Sequence, residues 1–304
     1  MSALLLYLDD EAAPARRLAE ACALPCAEVE RHRFPDAELR LRLPVDAQGR
    51  LPETLLIYRS LDRPNDKLIE LMLMAGQARQ LGAQRILLVA PYLAYMRQDI
   101  AFHPGEVVSQ QVVGRFLAGI VDGVITVDPH LHRIDHLQQA IPLDTAISLS
   151  GAPMLAELIA AHHQQAVLIG PDAESAQWVE SAAKGHGFAY GVCTKQRLSD
   201  THVEVSLPDI DVRGHAVVLL DDVASSGHTL AEAARNLLKA GASSVDAAVT
   251  HALFAPGALQ LLRDAGVRHV WSTDCIAHES NAISMAPLLA AAVYPWLSAA
   301  RADQ

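Results

Sequence analysis

Val217-Val218-Leu219-Leu220-Asp221-Asp222-Val223-Ala224-Ser225-Ser226-Gly227-His228-Thr229-Leu230 is the most informative stretch of this 304-residue chain. Four apolar residues run into two acids, then a loop of small residues and hydroxyls. Apolar residues at helical spacing follow from Leu230 to Ala240 and stop at Gly241. Val217 to Leu220 reads as a parallel strand buried on both faces. Strand, polar turn and helix in that order set backbone N–H groups and hydroxyls at a helix N-terminus, a ready phosphate site. The acids stand at the carboxyl end of the strand, the edge where open α/β sheets take ligands. They would repel a bare phosphate, but they suit sugar hydroxyls or a Mg²⁺ carried by the ligand. A phosphorylated sugar is the ligand this pattern describes.

Outward from that stretch, strand-like apolar runs alternate with amphipathic helical segments, the mark of an α/β architecture. Strands are expected over Leu4–Leu8, Thr54–Tyr58, Arg85–Ala90, Gly123–Asp128, Thr145–Leu149, Ala166–Gly170, Ser244–His251 and Arg268–Thr273. Helices are expected over Pro14–Ala23, Asn65–Leu81, Val107–Ala118, Met154–His162, Glu174–His186 and from Ser284 to about Ala292. The second of these would turn Leu68, Leu71, Met72 and Ala75 inward, with Met72 and Met74 as core filling. Glu28–Arg33 and Glu38–Leu43 alternate with period two around Phe34-Pro35-Asp36-Ala37, as in a hairpin or flap. Val203–Leu207 echoes the second of those arms, so the halves read as distant structural repeats. The seam falls near Ser150-Gly151, giving domains 1–149 and 150–304; the last helix could pack back on the first domain.

A chain of this length allows roughly two domains. An apolar fraction of 51% with 19% charged residues describes a globular protein with sizeable cores. The net charge of −11 argues against nucleic-acid binding, which needs excess Lys and Arg. No run approaches the roughly 20 apolar residues of a membrane helix, and the N-terminus lacks a signal peptide's basic region. Cys22, Cys26, Cys193 and Cys275 form no zinc or disulfide pattern, so free thiols in the cytoplasm are expected.

Further fragments carry possible chemistry. Asp128-Pro129-His130 ends one strand and Gly170-Pro171-Asp172 another, both plausible places for Mg²⁺ or nucleotide phosphates. Lys195-Gln196-Arg197 sits in a loop-like patch between two strand-like segments. Two cations one residue apart in extended chain point the same way and could stabilise charge in phosphoryl transfer. Arg97-Gln98-Asp99 follows a turn containing Tyr92 and Tyr95; its guanidinium could stack on a base, fork onto phosphate or pair with an acid. Thr250-His251 and Thr273-Asp274 could be ligand loops. There is neither a P-loop signature nor a Ser-hydrolase elbow.

Taken together, these fragments resemble the ribose-phosphate diphosphokinase (PRPP synthetase) family. The Asp221-to-Thr229 loop is similar to the ribose-5-phosphate loop shared with type I phosphoribosyltransferases. Phe34-Pro35-Asp36-Ala37-Glu38, Pro91-Tyr92 through Asp99, Val127-Asp128-Pro129-His130, Gly170-Pro171-Asp172 and Lys195-Gln196-Arg197 resemble diphosphokinase motifs in order and spacing, from about Arg33 to Asn281. The resemblance implies two tandem type I phosphoribosyltransferase-like domains, each a mainly parallel sheet flanked by helices. It implies transfer of the β,γ-diphosphoryl group of ATP to O1 of ribose 5-phosphate, giving 5-phosphoribosyl 1-diphosphate and AMP. Phe34, Asp36, Glu38, Arg97, Gln98 and His130 would hold the nucleotide, with the flap reaching a neighbouring subunit's site in a homo-oligomer. His130 and Asp172 would organise Mg²⁺, and Lys195 and Arg197 would lie on the catalytic loop. Asp221 and Asp222 would take the ribose hydroxyls, and Ser225, Ser226, Gly227, His228 and Thr229 the 5-phosphate.

The chain also departs from the family pattern. Ala37 stands where the family turn usually has Gly, Ser225 replaces a common Asp, and His228 a frequent Gly. The segment after Asp99 lacks the Arg-rich run of the phosphate-activated class and looks closer to the archaeal-type branch. Two competing readings stay open: a phosphoribosyltransferase that consumes PRPP, and a non-catalytic nucleotide-binding regulatory homologue.

Overall fold

The computed structural model describes residues 3–131, 133–197 and 203–302, with main chain alone for 195–197, 203–205 and 299–302. The chain divides into two compact units, Met1–Leu149 with Ala286–Gln304, and Ser150–Met285. In the first, β1 (Ala3–Tyr7), α1 (Ala12–Ala21), β2 (Cys26–Glu28), β3 (Glu30–Arg33), β4 (Leu39–Arg42) and β5 (Thr54–Tyr58) lead to α2 (Pro64–Gln80). Then come β6 (Arg85–Val89), α3 (Ser109–Ala118), β7 (Gly123–Val127) and β8 (Thr145–Leu149). The second holds α4 (Ala152–His162), β9 (Val167–Gly170), α5 (Ala176–His186), β10 (Ala189–Val192), β11 (Thr194–Arg197), β12 (Val203–Ser206) and β13 (Ala216–Ala224). It ends with α6 (His228–Lys239), β14 (Ser244–Ala252), α7 (Ala258–Asp264), β15 (Val267–Thr273) and β16 (Asn281–Ile283), after which α8 (Ala286–Ala302) belongs to the first unit.

Each unit is a six-stranded parallel sheet, ordered β2-β1-β5-β6-β7-β8 and β10-β9-β13-β14-β15-β16. The central strands are continuous apolar runs because helices cover both faces; Leu5, Leu56, Leu87, Val217 and Val249 are fully buried. In both units an antiparallel hairpin, β3–β4 or β11–β12, follows the edge strand. The two orders are one plan, so the similarity of Leu39–Leu43 to Val203–Leu207 reflects equivalent second arms of the two hairpins. No described helix is long and apolar enough to cross a membrane.

Several expectations need correction. Strand β13 outlasts its apolar run: Asp221 is still paired, opposite Val249 of β14, so the acids lie within the strand's carboxyl end. Lys195-Gln196-Arg197 is strand β11, paired with β12, not loop; residues 198–202 lie outside the described residues. Helix α2 buries Lys67, Glu70, Leu71, Met74, Ala75 and Ala78, while Met72 is 39% exposed. Charged residues occupy its core-facing register near the N-terminus, which hydrophobicity alone assigns to the wrong side. Sequence reading passed over β2, α7 and β16, all short, and stopped α8 well before Pro295, which the helix contains.

Candidate active site

The second unit concentrates the sequence-marked acids. Asp172 follows β9, and Asp221 and Asp222 lie near the carboxyl end of the adjacent strand β13. The Asp222 N–H donates to Asp221 Oδ1 at 3.0 Å. Asp172 caps the short turn before α5, accepting from the Glu174 N–H at 3.2 Å. Burial, then the negative charges of Asp222 and Asp172, push the Asp221 carboxyl well above the ordinary carboxylate range. Like charges crowded in partly dry surroundings disfavour ionisation, so the trio favours a ligand that brings hydrogen-bond donors or a cation.

Beyond these acids, Ser225 and Ser226 are exposed, and Gly227 takes φ +77 as the residue before α6. The left-handed conformation suits Gly because it has no Cβ. His228 is then the first helical residue, so standing where Gly is frequent does not require left-handed backbone of it. No side chain caps α6, so its first-turn N–H groups face the loop. A backbone bond from Ala255 N–H to the Ser225 carbonyl, 3.0 Å, ties the loop to the chain after β14. Carboxylates, hydroxyls and an uncapped helix start thus converge at one sheet edge.

In the first unit the candidates sit at the carboxyl ends of other strands. Arg97, exposed, and Gln98, half-buried, follow β6, and His130 follows β7. Asp128 and His130 both take left-handed backbone, φ +38 and +55, at a turn that re-aims the chain after β7. An ion pair of Arg133 with Asp99, 2.5 Å, joins the two segments. Phe34 (39% exposed), Asp36 and Glu38 crown the β3–β4 hairpin, which rises at the β2 end of the sheet. There Asp36 Oδ1 accepts from the Glu38 N–H at 3.1 Å, and Ala37 keeps φ +73, the conformation glycine would favour.

Other sequence candidates are structural. Asp274 accepts from Ser284 Oγ at 2.8 Å and Met285 N–H at 2.7 Å, closing the turn before α8. Thr273 Oγ1 donates to the Thr250 carbonyl at 2.6 Å inside the sheet. Cys22, Cys193 and Cys275 are buried thiols outside any disulfide and Cys26 is partly exposed; burial pushes the Cys22 thiol up to about 11. Among the described residues no group of three or more His, Cys, Asp or Glu forms a ready-made metal cage. Sequence reading missed a buried set of charges in the first unit, Glu11, Arg59, Lys67 and Glu70. Its signal was present in the α2 pattern, where positions 67 and 70 share the helical face of 71, 74, 75 and 78.

Two tandem units of this kind, with an acid-and-hydroxyl loop at the carboxyl edge of the second, define a phosphoribosyltransferase-type double-domain protein. The whole chain superposes on the crystal structure of phosphoribosylpyrophosphate synthetase from Mycobacterium smegmatis with a TM-score of 0.83, covering 98% of this chain and 100% of that one at 24% identity, a likeness of fold. Residues 4–120 match the N-terminal domain of ribose phosphate pyrophosphokinase, and residues 149–285 the phosphoribosyl transferase domain. Ribose-phosphate pyrophosphokinase of Methanopyrus kandleri is 36% identical over 282 residues, 91% of this chain and 94% of its own. Ribose-phosphate pyrophosphokinase 2 of Archaeoglobus fulgidus is 35% identical over 276 residues, with the same coverage. This chain belongs to the ribose-phosphate pyrophosphokinase family, and these two relatives are archaeal. The match of the first half leaves a stand-alone phosphoribosyltransferase without support.

Proposed function

We propose that this chain transfers the β,γ-diphosphoryl group of ATP to O1 of ribose 5-phosphate, releasing AMP and 5-phosphoribosyl 1-diphosphate. The observation that carries this reading is the carboxyl end of the second unit's sheet, where Asp221 and Asp222, near the end of β13, precede by two strand residues the Ser225-to-Thr229 loop and the uncapped start of α6. Asp221 and Asp222 accept hydrogen bonds from the ribose hydroxyls. Ser225, Ser226, Gly227, His228 and Thr229 take the 5-phosphate through N–H and hydroxyl donors. Phe34, Asp36, Glu38, Arg97, Gln98 and His130 hold the nucleotide. Lys195 and Arg197 neutralise charge on the transferring group, where positioning matters more than a strong base.

The residues fit Mg²⁺: Asp172, Asp221 and Asp222 bring carboxylate oxygens together, the donors a hard cation takes, and a cation there would relieve the crowding that disfavours ionisation of Asp221. Asp172 and His130 are the residues assigned to it, His130 through water or phosphate. Bound with the triphosphate, the ion would withdraw charge from the phosphate oxygens.

The protein acts as a homo-oligomer in the cytoplasm in this reading. Ile69, Met72 and Leu73 lie exposed on α2, an apolar patch suited to a second copy, and Phe34 is exposed on the hairpin beside that helix. Incubation with ATP, Mg²⁺ and ribose 5-phosphate, followed by phosphorus NMR, should show AMP and a sugar 1-diphosphate together. No AMP with any divalent metal sinks the reading and leaves the regulatory, non-catalytic role.

A further inference from the structure

The two sheets can be compared position by position through their strand registers. Leu5 pairs with Leu56 in the first unit and Ile169 with Leu219 in the second. Three residues on, Leu8 and Arg59 stand where the second unit has Asp172 and Asp222. Each following helix starts after a left-handed residue, Arg63 at φ +54 or Gly227 at φ +77. At the corresponding strand ends the first unit carries charged side chains packed against one another.

These side chains form a chain of ion pairs. Arg59, 1% exposed, contacts Asp10 and Glu11 at 2.9 Å each through one nitrogen and Glu70 through another. Lys67 Nζ donates to Glu11 at 3.0 Å, to the Ser60 carbonyl at 2.8 Å and to Asp62 at 2.5 Å, crossing the loop that corresponds to the phosphate loop. The Ser60 N–H also donates to Glu11 at 3.0 Å. As a fold stabiliser such a network is a poor choice, because apolar residues of similar volume serve as well or better.

What the network reaches is the hairpin. Arg31 of β3 donates to Glu70 Oε1 at 2.7 Å and to Asp9 at 2.6 Å, and lies 3.4 Å from Asp10. Two residues along the same strand, Arg33 pairs with Asp66 of α2 at 3.0 Å. Immediately beyond Arg33 come Phe34, Asp36 and Glu38. A hairpin alone is at best marginally stable, so its presentation depends on such attachments.

We propose that the ion-pair network centred on Arg59 and Glu70 is a mooring that sets the β3–β4 hairpin for the nucleotide, with Arg31 as the positioning residue on the hairpin; this rests on the nucleotide role assigned above to Phe34, Asp36 and Glu38. Glu70 is the hub, since one oxygen faces Arg31 and the other Arg59.

The test compares the full chain with Arg31→Ala, Arg31→Lys and a control, Arg42→Ala, which removes an exposed pair on the same hairpin outside the network. Losing charge-assisted bonds to a buried carboxylate should speed amide hydrogen exchange across residues 30–42 by about tenfold in Arg31→Ala. KM for ATP should rise by about tenfold, while KM for ribose 5-phosphate stays within about twofold and the melting temperature changes little. Arg31→Lys should recover part of both effects, and Arg42→Ala should show neither. Unchanged hairpin exchange, or the two KM values rising together, overturns the mooring. If the unaltered chain makes no AMP, the proposed reaction fails while the exchange experiment still decides the mooring.

Discussion

The Asp222 N–H points at the carboxylate of Asp221, 3.0 Å away, yet this bond does not offset the burial of that group and the repulsion that Asp222 and Asp172 exert on it. A carboxyl raised well above its unfolded value favours the fold when protonated and opposes it when ionised. Asp221→Asn should therefore raise the melting temperature of the ligand-free protein at neutral pH. The same change should weaken ribose 5-phosphate binding, with a lost charged hydrogen bond costing about 2 kcal/mol, roughly 30-fold. Calorimetric melting and a ribose 5-phosphate titration of one variant check both signs.

Lys195→Ala should lower turnover on the order of 10³-fold with little change in ribose 5-phosphate affinity, as for a residue that neutralises charge only in phosphoryl transfer. Single-turnover kinetics beside equilibrium binding separate the two. Near-normal turnover removes Lys195 from the catalytic role.

Acid stability should depend on Asp246, a buried residue of β14. Burial opposes its ionisation, but Arg268 (3.0 Å) and His163 (2.7 Å) outweigh it and hold the carboxyl below its ordinary value. A lowered folded-state value means the stabilisation is complete above the unfolded carboxylate range, about pH 4, and fades as pH falls through the folded value. Asp246→Asn should lose about 2 kcal/mol at neutral pH. Its melting temperature should also fall less on acidification than that of the unaltered chain.

Packing at Gly114 leaves no room for a side chain. A Cβ there would lie 1.8 Å from the Ala140 carbonyl oxygen, a backbone atom that cannot swing aside. Gly114→Ala should cost about 3 kcal/mol or more, visible as a lower denaturant midpoint.

Ala37 offers the opposite case. Its φ of +73 costs an alanine roughly 1–2 kcal/mol, partly offset by glycine's greater freedom when unfolded. Ala37→Gly should stabilise the hairpin turn by about 0.5–1 kcal/mol, read as slower amide exchange at Phe34 and Glu38.

Much of this was legible in the chain itself. Short continuous apolar runs bounded by turn residues suit strands covered on both faces, so the parallel sheets and their alternation with helices follow from local chemistry. Residues contiguous in sequence, such as Asp221 through Thr229, carry their own chemistry because strand, turn and helix bring them together without help from elsewhere. Helical spacing put Met72 in the core and left Lys67 and Glu70 unassigned. Folding exposes Met72 and buries the two charges, because Glu11 for Lys67, and Arg59 and Arg31 for Glu70, supply the partners that make buried charge tolerable. The elevation of the Asp221 carboxyl likewise comes first from burial and then from Asp222 and from Asp172, about 50 residues away, which the neighbouring strand brings close. Pairing between distant segments depends on register and burial, which no local pattern records; that is why the site's loops were visible in the sequence and its electrostatics and mooring were not.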